Sequence, residues 1–269
     1  MQAVGVLGYG YLGARVLAAG PCGPGSFAAS RGEKPQGLPV PWVPFDWAEP
    51  NTWDHLPQEA QGLVLTIPPV HPDLKAEQAR LETWGAWMSK HRPRLGRLVY
   101  LSSTAVYPNQ PGLFDETWAI APQSEKGQLR LLSEQVLARF FDLKVIRPAA
   151  IYGPDRSILE RMRQGLPVPA DSGPVYRIHV EDLARICWAA LEQSDFPSPI
   201  NALDLKPASS LEVAQWVHQR HPELVPKLEE GYLARRGFAV HPERKLSNQR
   251  LLETQFTFVY PSYQEGMNQ

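Results

Sequence analysis

Residues 6–13 read VLGYGYLG, and the spacing of their glycines decides the fold. Gly8, Gly10 and Gly13 stand in G-x-G-x-x-G register, directly after an apolar run and before a stretch with helical spacing. In that setting the first glycine permits a tight turn, and the second lets a pyrophosphate approach the backbone. The third lets the helix lie close to the strand. The N-terminus of the helix adds free N–H groups and a partial positive charge. A dinucleotide site built from Gly8, Tyr9, Gly10, Tyr11, Leu12 and Gly13 is the expectation.

Working outward, β-type runs at 3–7, 26–30, 42–45, 62–67, 97–102 and 143–147 alternate with helical patterns. The helical patterns fall at 11–20, 73–91, 124–140, 181–193 and 209–219. Such alternation specifies the α/β class, here a Rossmann-type doubly wound parallel sheet covered on both faces. Residues 31–45 carry too much proline for a helix, so one crossover is expected to be irregular. Beyond about residue 155 the alternation loosens. Residues 1–155, with 177–200 returning to them, are read as the dinucleotide-binding domain, and 156–176 with 201–269 as a small C-terminal substrate lobe.

Composition narrows the partners. The 269 residues are 43% hydrophobic, enough for a sizeable core. With 27 basic and 28 acidic residues the net charge is −1, which argues against nucleic acid or an anionic membrane as partner. The two cysteines, Cys22 and Cys187, form no C-x-x-C pair, and no histidine cluster has metal spacing. A metal site is not expected, and a reducing cytoplasm suits the chain. The apolar stretch 3–20 lacks a basic n-region and is interrupted by glycines and Arg15, unlike a signal peptide. No apolar run approaches the ~18 residues of a membrane span.

Cofactor choice is read at the end of the second strand. NAD-selective sites usually place Asp or Glu there, on the ribose 2′-OH. This chain has Ala28-Ala29-Ser30-Arg31, with Lys34 beyond. A hydroxyl at Ser30 and a guanidinium at Arg31 suit a 2′-phosphate, so NADP is expected in preference to NAD.

Four further segments carry a resemblance. They are LVYLSSTAVYP (98–108), IRPAAIYGP (146–154), RIHVEDLA (177–184), and KLSNQRL (245–251) followed by YPSYQEG (260–266). With the glycine loop they resemble the extended, epimerase/dehydratase-like branch of the short-chain dehydrogenase/reductase superfamily, over nearly the whole chain. The resemblance implies a small-molecule, sugar-like substrate and cofactor contacts near Asp46, Thr66, Ser102 and Ile151. It also implies a catalytic serine at Ser103, and a possible homodimer through the helices near 73–91 and 124–140.

The resemblance breaks at QSEKGQLRLLSEQ (123–135). Family members begin this helix with Tyr-x-x-x-Lys, in which the lysine lowers the tyrosine pKa so that the phenol exchanges a proton with substrate. Glu134 fits the glutamate that follows one turn later. Arg130 then takes the lysine position and Lys126 the tyrosine position. No tyrosine occurs between Tyr107 and Tyr152. Two readings follow. One is an enzyme using Ser103, Arg130 and Lys126 (or a tyrosine from elsewhere, Tyr107 or Tyr152). The other is a dinucleotide-binding protein without catalysis, structural or redox-sensing.

Overall fold

The computed structural model describes residues 2–237 and 241–268. Its chain divides into two compact units. The first comprises Met1–Pro108, Ala119–Arg147 and Leu183–Ile200, and the second Asn109–Trp118, Pro148–Asp182 and Asn201–Gln269.

The first unit is organised by a seven-stranded sheet. Its strands are β1 (Val4–Leu7), β2 (Phe27–Ser30), β3 (Trp42–Pro44), β4 (Gly62–Leu65), β5 (Arg97–Leu101), β7 (Leu143–Pro148) and β11 (Ile200–Ala202). The spatial order is β3-β2-β1-β4-β5-β7-β11, and the pairs β3–β2, β2–β1, β1–β4, β4–β5 and β5–β7 are parallel. The order reverses between β1 and β4. That switch point is where an open α/β sheet leaves a crevice beyond the carboxyl ends of its strands. Every residue of β1 and β4 is buried, which explains why both read as short continuous apolar runs.

Helices α1 (Tyr11–Ala19), α2 (Leu74–His91) and α3 (Glu125–Leu137) form where the periodicity predicts them. Asp73 caps α2 by accepting from the Ala76 amide at 2.8 Å, and Ser124 caps α3 by accepting from the Gly127 amide at 3.1 Å. The crossover from β2 to β3 contains no helix, as its prolines predict. After β3 the chain makes a 3-10 turn over Pro50–His55. The core of this unit is strongly aromatic, with Phe27, Phe45, Trp47, Trp84 and Tyr100 all essentially inaccessible. Each fully buried side chain of this size contributes about 1.5–3 kcal/mol.

The second unit is held by short two-stranded parallel pairings. β6 (Gly112–Phe114) pairs with β13 (Arg244–Leu246), β8 (Ala150–Tyr152) with β10 (Arg177–His179), and β9 (Val168–Pro169) with β12 (Leu228–Glu229). Helices α4 (Ile158–Arg163) and α6 (Ser210–Arg220) contribute Leu159, Met162, Trp216 and Val217 to its core, against Tyr152 and Tyr263. Asp182 sits in the first turn of α5 (Val180–Glu192) and does more than favour the helix dipole. Its two carboxylate oxygens accept from the amides of Val259 and Tyr260, at 3.0 and 2.8 Å. The RIHVEDLA and YPSYQEG segments are therefore parts of one structural joint.

Candidate cofactor site

The glycine loop shows three separate uses of a missing side chain. Gly8 has φ +99°, and a Cβ there would lie 2.4 Å from Thr66 Oγ1. At Gly13 a Cβ would lie 2.4 Å from the Gly8 carbonyl oxygen, so the third glycine is required by helix–loop packing. Gly10 is different. It is extended (φ −120°, ψ −152°), and a Cβ there would meet nothing within 4 Å. The open space lies before an α1 N-terminus that has no side-chain cap and no acidic residue in its first turn. The partial positive charge of a helix start and room for close approach fit a pyrophosphate.

The loop is fixed from both sides of the switch point. The Gly8 amide donates to the Ala29 carbonyl of β2 at 2.8 Å. Thr66, at the end of β4, donates from its hydroxyl to the Gly8 carbonyl at 2.7 Å. Thr66, expected from sequence beside the cofactor, uses its hydroxyl to set the loop. Tyr9 packs edge-on against Trp42, and the Arg15 guanidinium lies over the Tyr11 ring. Leu12 is buried on the sheet side of α1.

At the end of β2, Ser30 is half-buried and Arg31 is exposed. Asp46, in the turn after β3, accepts from the Ala48 amide at 2.9 Å, so one carboxylate oxygen shapes its own turn. Ser102 is buried, and its hydroxyl donates to Glu134. Ile151 belongs to the second unit, in β8, paired with Ile178.

The expected catalytic residues divide. Ser103 is half-buried at the end of β5 and accepts from the Ala105 amide at 3.1 Å. Arg130 is half-buried on α3, and its Nη1 donates to the Leu101 carbonyl at 2.6 Å and to the Tyr100 hydroxyl at 3.2 Å. Both therefore address the carboxyl end of β5. Lys126 is exposed in the first turn of α3, one turn before Arg130. The Tyr152 hydroxyl donates to the Ser262 carbonyl at 2.9 Å, and burial pushes the phenol far above its ordinary range.

Sequence reading passed over the partner that explains Glu134. Arg147, within the IRPAAIYGP segment, donates from Nη2 and Nε to the Glu134 carboxylate at 2.6 and 3.1 Å. Its Nη1 donates to the Tyr107 hydroxyl at 2.9 Å. Burial opposes charge on Arg147, but the bonds and charge of Glu134 outweigh it and hold the guanidinium above its usual pKa. Tyr107 is thus committed to the core network. A glutamate one turn after Arg130 and an arginine closing the next strand were visible in sequence. Their pairing depends on α3 lying across β7.

A second buried carboxylate, in the other unit, behaves oppositely. Asp204 is 4% exposed, and its Oδ2 has no hydrogen-bond partner among the described residues. Burial raises its pKa to about 7, against the opposing Lys206 amide and Arg177 charge, with Glu265 and Asp182 adding to the rise. A raised folded-state pKa contributes stability below the unfolded value, and that stability is lost as pH climbs toward 7. Asp204→Asn should therefore flatten the pH dependence of unfolding. The wild type loses about 2 kcal/mol between pH 5 and 7 on this account, and the variant does not. Urea midpoints at several pH values measure it, and parallel profiles for the two proteins would contradict it.

Fold and loop together define a Rossmann-type protein with a cradle suited to a dinucleotide. A family model described as the NAD dependent epimerase/dehydratase family matches residues 85–202, which bears out the resemblance read from the motifs. Solved structures share the fold over nearly the full length. A conserved protein of unknown function from Silicibacter pomeroyi is 23% identical, with TM-score 0.73 over 99% of this chain and 96% of that one. UDP-glucuronic acid 4-epimerase from Bacillus cereus, solved with NAD, is 15% identical, with TM-score 0.76 over 98% and 96%. A short-chain dehydrogenase/reductase superfamily protein from Agrobacterium tumefaciens with bound NAD is 14% identical, with TM-score 0.73 over 96% and 93%. No curated protein matches the chain. Among the described residues no helix is long and apolar enough to cross a membrane, and no cluster of His, Cys, Asp or Glu is placed to hold a metal.

Proposed function

We propose that the protein binds NADP(H) in the loop of Gly8, Gly10 and Gly13 and acts as an epimerase/dehydratase-like oxidoreductase on a small, sugar-like substrate. The observation that carries the reading is the uncapped α1 N-terminus behind empty space at Gly10. The structural relatives named above, one of them a UDP-sugar epimerase, support the substrate class. A bound nicotinamide would supply hydride transfer. The chain's own contribution is to bind and orient. The N-terminal end of α1, facing the space at Gly10, holds the pyrophosphate, and Ser30 and Arg31 take the 2′-phosphate. Ser103 offers a hydroxyl, and Arg130 a fixed positive charge that cannot exchange protons.

Cofactor preference tests the binding half. NADPH should bind more tightly than NADH, and Arg31→Ala should remove about tenfold of that preference, the scale of one charge-assisted contact. Equal fluorescence titrations for the two cofactors in the wild type would refute it.

A second reading, an NADP-binding protein without catalysis, is favoured by the exposed Lys126 and the missing tyrosine. Turnover of sugar nucleotides and small carbonyl compounds with NADPH separates the two. Activity abolished by Ser103→Ala and retained by Lys126→Met supports an enzyme with a rearranged site. Cofactor binding without turnover across a broad panel supports the second reading.

A further inference from the structure

We infer that the buried Glu77–Arg80 ion pair of α2 is a positioning clamp, fixing the two loops that wall the nucleotide crevice beyond β3 and β4. The inference rests on the dinucleotide reading above.

The bonds run in both directions from one turn of helix. Glu77 is fully buried, and its carboxylate accepts from the amides of Val70 and His71 at 3.3 and 3.1 Å. Both amides belong to the loop that leaves β4 just after Thr66. Arg80 donates from Nε and Nη2 to the same carboxylate at 2.9 and 2.5 Å. Its Nη1 reaches the Trp47 carbonyl at 3.3 Å, and its guanidinium lies 4.0 Å from the Trp47 ring centre. Trp47 follows Asp46 in the turn after β3, and its ring packs edge-on against Trp84 of α2 at 5.5 Å. Two loops from the carboxyl edge of the sheet are thereby tied to one helix.

Stability alone does not account for this arrangement. Burying two charges costs roughly what their attraction returns, so replacing a buried ion pair by apolar residues of similar volume is often neutral for stability. What an apolar pair cannot do is accept from the amides of Val70 and His71 and donate to the Trp47 carbonyl. Burial pushes the Glu77 carboxyl up, but the bonds from Arg80, His71 and Val70 outweigh it and keep it below the usual carboxylate range. The acceptor is therefore ionised wherever the protein is handled near neutrality.

The test separates affinity from stability. Glu77→Gln, Arg80→Met and the double variant Glu77→Leu/Arg80→Met are titrated with NADPH. Their unfolding midpoints and their amide exchange at Val70 and His71 are followed in parallel. Removing one charge leaves the other buried and unpaired, so the single variants should lose stability that the double variant regains. All three should bind NADPH about tenfold more weakly, the scale of one lost positioning contact, with the Val70 and His71 amides deprotected. A purely structural pair would show affinity recovering with stability in the double variant, and that result overturns the clamp. If wild type binds neither NADPH nor NADH, the dinucleotide reading itself fails. Unchanged protection of the two amides in the double variant would then overturn the clamp separately.

Discussion

Gly10→Val should abolish dinucleotide binding while leaving a folded protein. The three glycines of the loop are not equivalent in this respect. A Cβ at Gly8 or Gly13 collides with Thr66 or with the Gly8 carbonyl, so substitution there damages the loop itself. At Gly10 the backbone is already extended, and the new side chain meets only open space. The fold pays little, on the order of 1 kcal/mol for a poorer N-cap. The isopropyl group would occupy the space left for the pyrophosphate, and affinity should fall at least about 100-fold, roughly 2.7 kcal/mol. NADPH fluorescence titration read beside thermal unfolding measures both halves. Undiminished binding by the folded variant would place the cofactor elsewhere.

Glu134→Ala should destabilise the first unit by about 3–5 kcal/mol, the cost of leaving one member of a buried ion pair unpaired. The guanidinium of Arg147 would keep only its bond to Tyr107, and the Ser102 hydroxyl would lose its acceptor. Both Arg147 and Glu134 are almost inaccessible, so solvent cannot replace the missing carboxylate. Glu134→Leu combined with Arg147→Met should recover much of the loss, since neither charge then remains stranded. Urea unfolding of the single and double variants gives the comparison. A Glu134→Ala midpoint equal to wild type would mean that the pair contributes nothing net. The network also joins α3 to β5 and β7, so the single variant should loosen the helix that carries Arg130.

The sequence by itself determined the frame of this protein. The glycine register, the alternation of short apolar runs with helical spacing and the proline-rich crossover are local signals. Each fixes backbone within a few residues, so β1, the loop and α1 were legible, as were β2, β3, β4, β5, β7 and the long helices, whereas the edge strand β11 (Ile200–Ala202), only three residues long, was not. The placement of Lys126 and Arg130 one turn apart on α3 was legible too, because helical spacing places them by counting. Tertiary structure alone decided the rest. The pairings of β6 with β13, β8 with β10 and β9 with β12 join two- and three-residue strands far apart in sequence. No periodicity can build up over so few residues. The internal bonds of Thr66 and Ser102 were not legible, because their acceptors, the Gly8 carbonyl and Glu134, come from other elements. Charge at Glu77, Glu134 and Asp204 looks alike in a sequence. Burial with or without a guanidinium partner is what makes the first two anchored anions and raises the pKa of the third toward neutrality.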